Sequence, residues 1–345
     1  MTIKPEFLWY TQCPAPTPLS LAAQKGWLAE SFAAHDLAVK SIRQSPDPEV
    51  RASHFTHSLD WSFRQGGNIP PLWTRANGRE TRVLGITTTD EFQAVITLPG
   101  RGITDASDLK GRRIGIPRND RALIDFQRAT ALKGVVSALT LAGLTAADVE
   151  LVWLQDEAFG GDIGQGGYGG LRRSYPYGAE FLALARGEID AFFVKGAEGL
   201  LLAAQFRAVL VADFGFHPDA RIRINNGTPR PLTIDAATIA RRPDLAEALV
   251  ASVLRVPVWA KEHPEDAVRL IAREIGVGED AIWAANGPEV HRHLELTIEE
   301  DQIDALQHFV GFLREWDFIP AEFDVRDWVD PAPLAAARAK LAVPA

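Results

Sequence analysis

The sequence predicts a two-lobe α/β fold in which each lobe is a mixed, mostly parallel sheet flanked by helices, with a cleft between the lobes. Short runs of β-branched and aromatic residues alternate with helical patterns through the first 200 residues, the signature of successive βα units. The crossovers between these runs are long enough for parallel pairing. Around residues 99–111, PGRGITDASDLKG is rich in Gly, Pro and Asp, and the strand pattern restarts directly after it, as at a change of lobe.

Phe7 to Thr11 reads as a first strand and Pro18 to Ser31 as a helix, with Leu19, Ala22, Ala23, Trp27 and Phe32 at mostly three- and four-residue spacing. Leu37 to Arg43 is a second strand, and Arg82 to Thr87 and Phe92 to Leu98 are the third and fourth. Pro70, Pro71 and Leu72 mark a helix start, because proline is tolerated in a first turn. The second lobe holds a strand at Arg113 to Ile116, a helix at Ile124 to Ala142, a strand at Val149 to Leu154, a helix from Pro176 through Ala185, and a strand at Asp190 to Val194. A chain return at Val209 to Ala212 leads into a mostly helical remainder that includes Asp244 to Glu262 and Ile298 to Trp316. The expected division is discontinuous: residues 1–98 plus 200–345 form the first lobe and 99–199 the second.

At 345 residues the chain has material for a little over two domains of about 150 residues each. Its 45 acidic and 36 basic side chains leave a net charge of −9, the wrong sign for affinity built on phosphate neutralisation, so nucleic acid is not expected as a partner. The single cysteine, Cys13, excludes an internal disulfide and any multi-cysteine metal site and suits a reducing compartment, so the cytoplasm is expected. The N-terminal MTIKPEFLWYTQCPAP lacks a signal-peptide pattern, and no run reaches about 18 apolar residues, so no membrane association is expected.

Residues 160–170, GGDIGQGGYGG, read as a lid or mobile loop. Gly164, Gly166 and Gly169 satisfy G-x-G-x-x-G, with Asp190 about twenty residues on. A dinucleotide site is rejected nonetheless: the fingerprint needs a tight strand-to-helix turn, whereas QDEAFGGDI separates strand from glycines and Pro176 interrupts the stretch after them.

Cys13 falls just beyond the first strand and before a helix prepared by Pro14, Pro16 and Pro18, at the sheet edge where open α/β folds place ligands. A helix dipole and exposed backbone N–H groups there favour thiolate. Position alone leaves Cys13 open to a second role, a small buried hydrophobe. The segment SHFTHSLDWSFRQGGNIPPLW, residues 53–73, gathers His54, His57, Arg64, Gly66 and Gly67 ahead of a helix start. Each alone is compatible with an ordinary surface position. Together they describe an anion pocket: Arg64 offers a planar fork, and the two glycines let backbone N–H groups approach beside a helix N-terminus. Either histidine can then serve Cys13 as base or proton relay. Zinc is not expected, since neither the His54/His57 pair nor His291 and His293 find matching ligands at recognisable spacing.

WYTQCPAP and HFTHSLDWSFRQGGNIPPL together resemble the 2'-hydroxybiphenyl-2-sulfinate desulfinases of dibenzothiophene desulfurisation. The shared pattern is Cys13-Pro14, His54-Phe55-Thr56, Arg64, Gly66-Gly67 and Ile69-Pro70-Pro71-Leu72, with RVLGIT and DLKGRRIGI after it. Beyond about residue 120 the likeness is diffuse. DLKGRRIGI, ARGEIDAFFV and VPVWAKEHPEDAVRLIA resemble the wider group of sulfonate and pyrimidine-precursor binding proteins with the type II periplasmic-binding-protein fold. His57 stands where the family usually has tyrosine.

The resemblance implies that Cys13 is the catalytic cysteine and His54 its acid/base or orienting partner. It implies that Arg64 binds the sulfinate, with the Gly67 N–H as a further oxyanion donor and Phe55 and Gly66 in the substrate site. The implied activity is hydrolytic carbon–sulfur cleavage by a monomer, without metal or cofactor, giving a phenol and sulfite. Two routes stay open: attack of Cys13 on sulfur, or protonation of the ring carbon by Cys13 while water takes the sulfur. The alternative is a non-catalytic solute-binding protein for a sulfonate, sulfinate or other small anionic aromatic, using the same pocket.

Overall fold

The computed structural model describes residues 5–156 and 176–342. Among them, ten strands run in chain order as β1 (Phe7–Gln12), β2 (Ala38–Ser41), β3 (Ser62–Gln65), β4 (Thr81–Thr87), β5 (Gln93–Thr97), β6 (Arg113–Arg118), β7 (Glu150–Gln155), β8 (Ala191–Lys195), β9 (Val209–Asp213) and β10 (Arg230–Asp235). They form two five-stranded sheets, ordered β2-β1-β3-β10-β4 and β7-β6-β8-β5-β9. In each sheet the fourth strand, β10 or β5, is the one that has just crossed from the other sheet, and it lies antiparallel to both neighbours. The other recorded pairings are parallel.

The strands β5, β8 and β10 are buried almost throughout because both faces of their sheets are covered. Successive side chains of β5 enter different cores: Ala94 and Ile96 join one with Leu8 and Phe63, while Val95 joins another with Ile114 and Val135. Edge strands β2 and β7 carry the exposed positions. The long helix Pro243–Glu262 packs on α1 (Pro18–Gln24), on α2 (Trp27–Ala33) and on the last described helix, Ala332–Ala342, so the C-terminal half does return to the first sheet.

The structure revises several expectations. The helix expected over Pro18 to Ser31 is two helices, broken at Gly26, whose φ of +78° is left-handed. Strand β5 and the chain return at β9, both given to the first lobe by the expected division, pair in the second sheet. An apolar run announces a buried strand but not the sheet it joins. Strands β3 and β10, and the helix α3 (Pro48–Thr56), are additional to the sequence-derived elements. The glycine-rich segment 160–170 lies outside the described residues. Asp190, the acidic residue of the rejected dinucleotide pattern, pairs with Arg113, its Oδ1 2.9 Å from Nη2.

Candidate functional site

Cys13 follows β1 directly, and its carbonyl accepts from the Ala15 N–H at 2.8 Å. Helix α1 starts later, at Pro18, where Thr17 caps it by accepting from the Ser20 N–H at 3.2 Å. Cys13 therefore stands in the loop before the helix rather than on its first turn. The positive charge it meets comes from side chains.

Arg64 lies on β3, level with Thr11 of β1 and Thr233 of β10. Its neighbour Phe63 points to the other face and stacks on Phe32 at 5.6 Å, which anchors the strand. Arg64 is only 3% exposed, and its Nη1 donates to the Gly67 carbonyl at 2.8 Å. Gly66 is where cysteine and arginine meet. A β-carbon built on it would lie 2.4 Å from the Cys13 Cβ, 2.8 Å from Sγ and 3.6 Å from Arg64 Nη2. Thiol and guanidinium are thus no further apart than those last two distances together.

Gly67 abuts Asn226, whose Oδ1 would be 2.5 Å from a β-carbon there. That Oδ1 accepts from the Ile69 N–H at 3.0 Å, at the start of α4 (Ile69–Ala76). The expected anion site beside a free helix N-terminus is therefore partly filled by the protein's own side chain.

Helix α3 begins at Pro48 behind the cap Asp47 and ends at His57, whose φ of 48° is left-handed. It buries His54 and Phe55, and the Thr74 hydroxyl donates to the Phe55 carbonyl at 2.9 Å, tying α3 to α4. Burial, then the charges of Arg64 and Arg43, hold the His54 imidazole well below its ordinary range. His57 is lowered in the same way by burial, Arg64, His54 and Arg79. Both rings are neutral near pH 7.

Cys13, His54, Phe55, Arg64 and Gly67 border one cavity of about 260 Å³ between the two sheets. Gly66 packs against Cys13, and its backbone is not part of the cavity wall. Phe55 stacks at 5.8 Å on Phe126, the first residue of α5 (Phe126–Leu141), which joins the two lobes by an aromatic wall. His57 is outside the cavity lining, and His291 packs edge-on against Trp283 away from it.

Among the polar residues of the cavity wall that carried no motif are Glu91, Lys195, Asn226 and Arg230. Lys195 Nζ donates to Glu91 Oε1 at 2.5 Å, and Arg230 Nη2 lies 3.7 Å from Glu91 Oε2. The Asn225-Asn226-Gly227 run ahead of RPLTID is a turn followed by a strand, and that was the available signal.

Two sheets, each with a returning antiparallel strand and a cavity between them at strand ends, define the type II periplasmic-binding-protein-like fold. The relatives are more particular. A family model described as NMT1/THI5 like matches residues 14–163. The 2'-hydroxybiphenyl-2-sulfinate desulfinase of Rhodococcus erythropolis is 27% identical over 356 residues, covering 94% of this chain and 91% of the relative. A putative aliphatic sulfonates-binding protein of Bacillus subtilis is 28% identical over 30% of this chain. Among solved structures, the desulfurization enzyme DSZB, as a cysteine-to-serine mutant in complex with biphenyl-2-sulfinic acid, superposes with a TM-score of 0.76 at 24% identity, covering 97% of this chain and 99% of that one. The periplasmic aliphatic sulphonate binding protein SsuA from Escherichia coli gives 0.66 at 16%, covering 95% and 92%. The resemblance first carried by the N-terminal motifs thus extends over nearly the whole chain.

Proposed function

We propose that the chain is an aryl-sulfinate desulfinase, a monomeric cytoplasmic hydrolase of carbon–sulfur bonds acting on 2'-hydroxybiphenyl-2-sulfinate or a similar aromatic sulfinate. The observation that carries this reading is the convergence of Cys13 and Arg64 on Gly66 at the edge of an aromatic-walled cavity, in a chain similar to desulfinases along 94% of its length.

In the net reaction the sulfinate and one water give hydrogen sulfite and a ring carbon bearing hydrogen. The carbon–sulfur bond breaks while carbon–hydrogen and sulfur–oxygen bonds form. Arg64 holds charge on the sulfinate oxygens, in a site where burial strengthens the attraction. His54 borders the same cavity, and because burial and neighbouring arginines disfavour its protonated form it is suited to orient the thiol or ligand as a neutral imidazole rather than to store a proton. Phe55 and Phe126 supply a flat apolar wall for the ring. Phe55 and the Gly67 N–H complete the proposed substrate site, while Gly66 serves it by letting Cys13 pack close.

The test is sulfite release from 2'-hydroxybiphenyl-2-sulfinate by the purified protein, before and after alkylation of Cys13, with mass analysis of rapidly quenched enzyme. Release that alkylation abolishes supports the reading, and a sulfur adduct on Cys13 identifies attack on sulfur rather than proton donation to carbon. Ligand-induced stabilisation without release supports the solute-binding alternative instead.

A further inference from the structure

We infer that Arg230 is a second anion-binding residue of this site, donating to the oxygens on sulfur alongside Arg64. The inference rests on the desulfinase reading and deepens it. Strand β10 runs antiparallel to β3, with Leu232 opposite Gln65. Continuing that register brings Arg230, the first residue of β10, level with Gly67. The anion pocket is thus flanked by cations from two neighbouring strands.

Arg230 is 1% exposed and lines the same cavity as Cys13 and Arg64. Its Nη1 donates to the Thr89 carbonyl at 2.9 Å. Its Nε and Nη2 have no hydrogen-bond partner among the described residues, and the 3.7 Å from Nη2 to Glu91 Oε2 is an ion pair too long for a hydrogen bond. Buried guanidinium donors without acceptors are costly, and an oxyanion in the cavity supplies the acceptor.

Glu91 does not cancel this charge. It is shared with Lys195, whose Nζ donates to it at 2.5 Å, so the three residues together keep one net positive charge. The carboxylate is seated against Gly227, where a β-carbon would lie 1.5 Å from Oε1. Tyr177 holds the Lys195 backbone, its hydroxyl accepting from the N–H at 2.9 Å. Arg230 is thereby held in place by groups that leave part of its fork unused. Arg64 has one Nη committed to Gly67, and hydrogen sulfite carries more oxygens than the sulfinate, so a second fork has a role during the reaction.

The experiment compares wild type with Arg230→Gln, Arg230→Ala and Arg230→Lys in the full chain. It measures calorimetric binding of biphenyl-2-sulfinate and of uncharged 2-hydroxybiphenyl, kcat and KM for sulfite release, and ligand-free melting. Arg230→Gln is expected to weaken sulfinate binding by about tenfold or more while hydroxybiphenyl binds within about twofold of wild type, and Arg230→Lys to recover part of the loss. Added guanidinium is expected to restore turnover in Arg230→Ala, which a merely structural role would not produce. If the neutral variants fail to fold, Arg230→Lys decides, because it keeps the charge and loses the fork. Sulfinate binding within about twofold of wild type in a folded variant overturns the inference. Wild-type binding without sulfite release overturns the desulfinase reading alone, since Arg230 is still read from binding. Wild-type protein that does not bind the sulfinate overturns both.

Discussion

Gly66 and Cys13 are packed so closely that no side chain fits between them: a β-carbon on Gly66 would sit 2.4 Å from the cysteine's own Cβ and 2.8 Å from its sulfur. In the sequence the diglycine reads as a backbone approach to an anion. At its first position the structure shows an approach to the thiol instead, with Arg64 Nη2 3.6 Å from the same β-carbon position.

Gly66→Ala is therefore expected to displace the Cys13 side chain. Overpacking of this kind costs about 1–3 kcal/mol, so the variant should stay folded with a lowered melting temperature. Sulfite release should fall by about tenfold or more, because the reacting sulfur moves. Unchanged kcat would show that the thiol position is not critical.

Arg64→Lys keeps the charge and loses the planar fork that reaches Gly67 and, in the proposed function, the sulfinate. Sulfinate affinity is expected to fall by about tenfold in a titration followed by tryptophan fluorescence. An equal affinity would place the anion elsewhere in the cavity.

Stability should decline on mild acidification. His54 and His57 have folded-state pKa values well below 6.5, so between pH 6.5 and those lowered values the unfolded chain binds protons the folded one does not. The loss begins as pH falls through about 6.5, at about 1.4 kcal/mol per pH unit for each histidine. Urea melts of wild type and of His57→Phe from pH 7 to 5 should show a shallower decline in the variant.

Lys133 gives a trend with the same sign in a higher window. Burial lowers its pKa to about 7, although its Nζ lies 2.6 Å from the Ser137 hydroxyl and donates to the Arg221 carbonyl at 3.0 Å. Between about pH 7 and 10.5 the unfolded lysine holds a proton the folded one has lost, so this residue adds stability as pH rises. In Lys133→Met that rise should be absent from a denaturant series over the same range.

Gly311 is the counterexample to Gly66. It lies inside the helix Glu300–Glu315, with nothing within 4 Å of a built β-carbon. Gly311→Ala should stabilise the protein by about 0.5–1 kcal/mol through helix propensity, without changing sulfite release.

The elements legible in the sequence were those whose burial is periodic or continuous. Arg82 to Thr87 and Phe92 to Leu98 stood out because β4 and β5 are almost wholly buried. Strand β3 was hidden because SFRQ mixes one apolar anchor with polar residues that are themselves buried for the site. Of the site, Cys13, His54, Phe55, Arg64 and Gly67 were legible as a spaced pattern, and they border one cavity.

By itself the sequence determined the two-lobe α/β class, the alternation that builds it and the cysteine–histidine–arginine–glycine pattern of the first lobe, since these depend on periodicity and short-range spacing. Only the tertiary structure decided which sheet β5 and β9 join, that Gly66 abuts the thiol, and that Arg230, Glu91 and Lys195 reach the same cavity. Those relations join residues far apart in the chain. The contact of Gly66 with the thiol arises from β1 pairing with β3, and the others from the chain crossing twice between sheets; pairing across such separations leaves no periodic mark on the residues that make it.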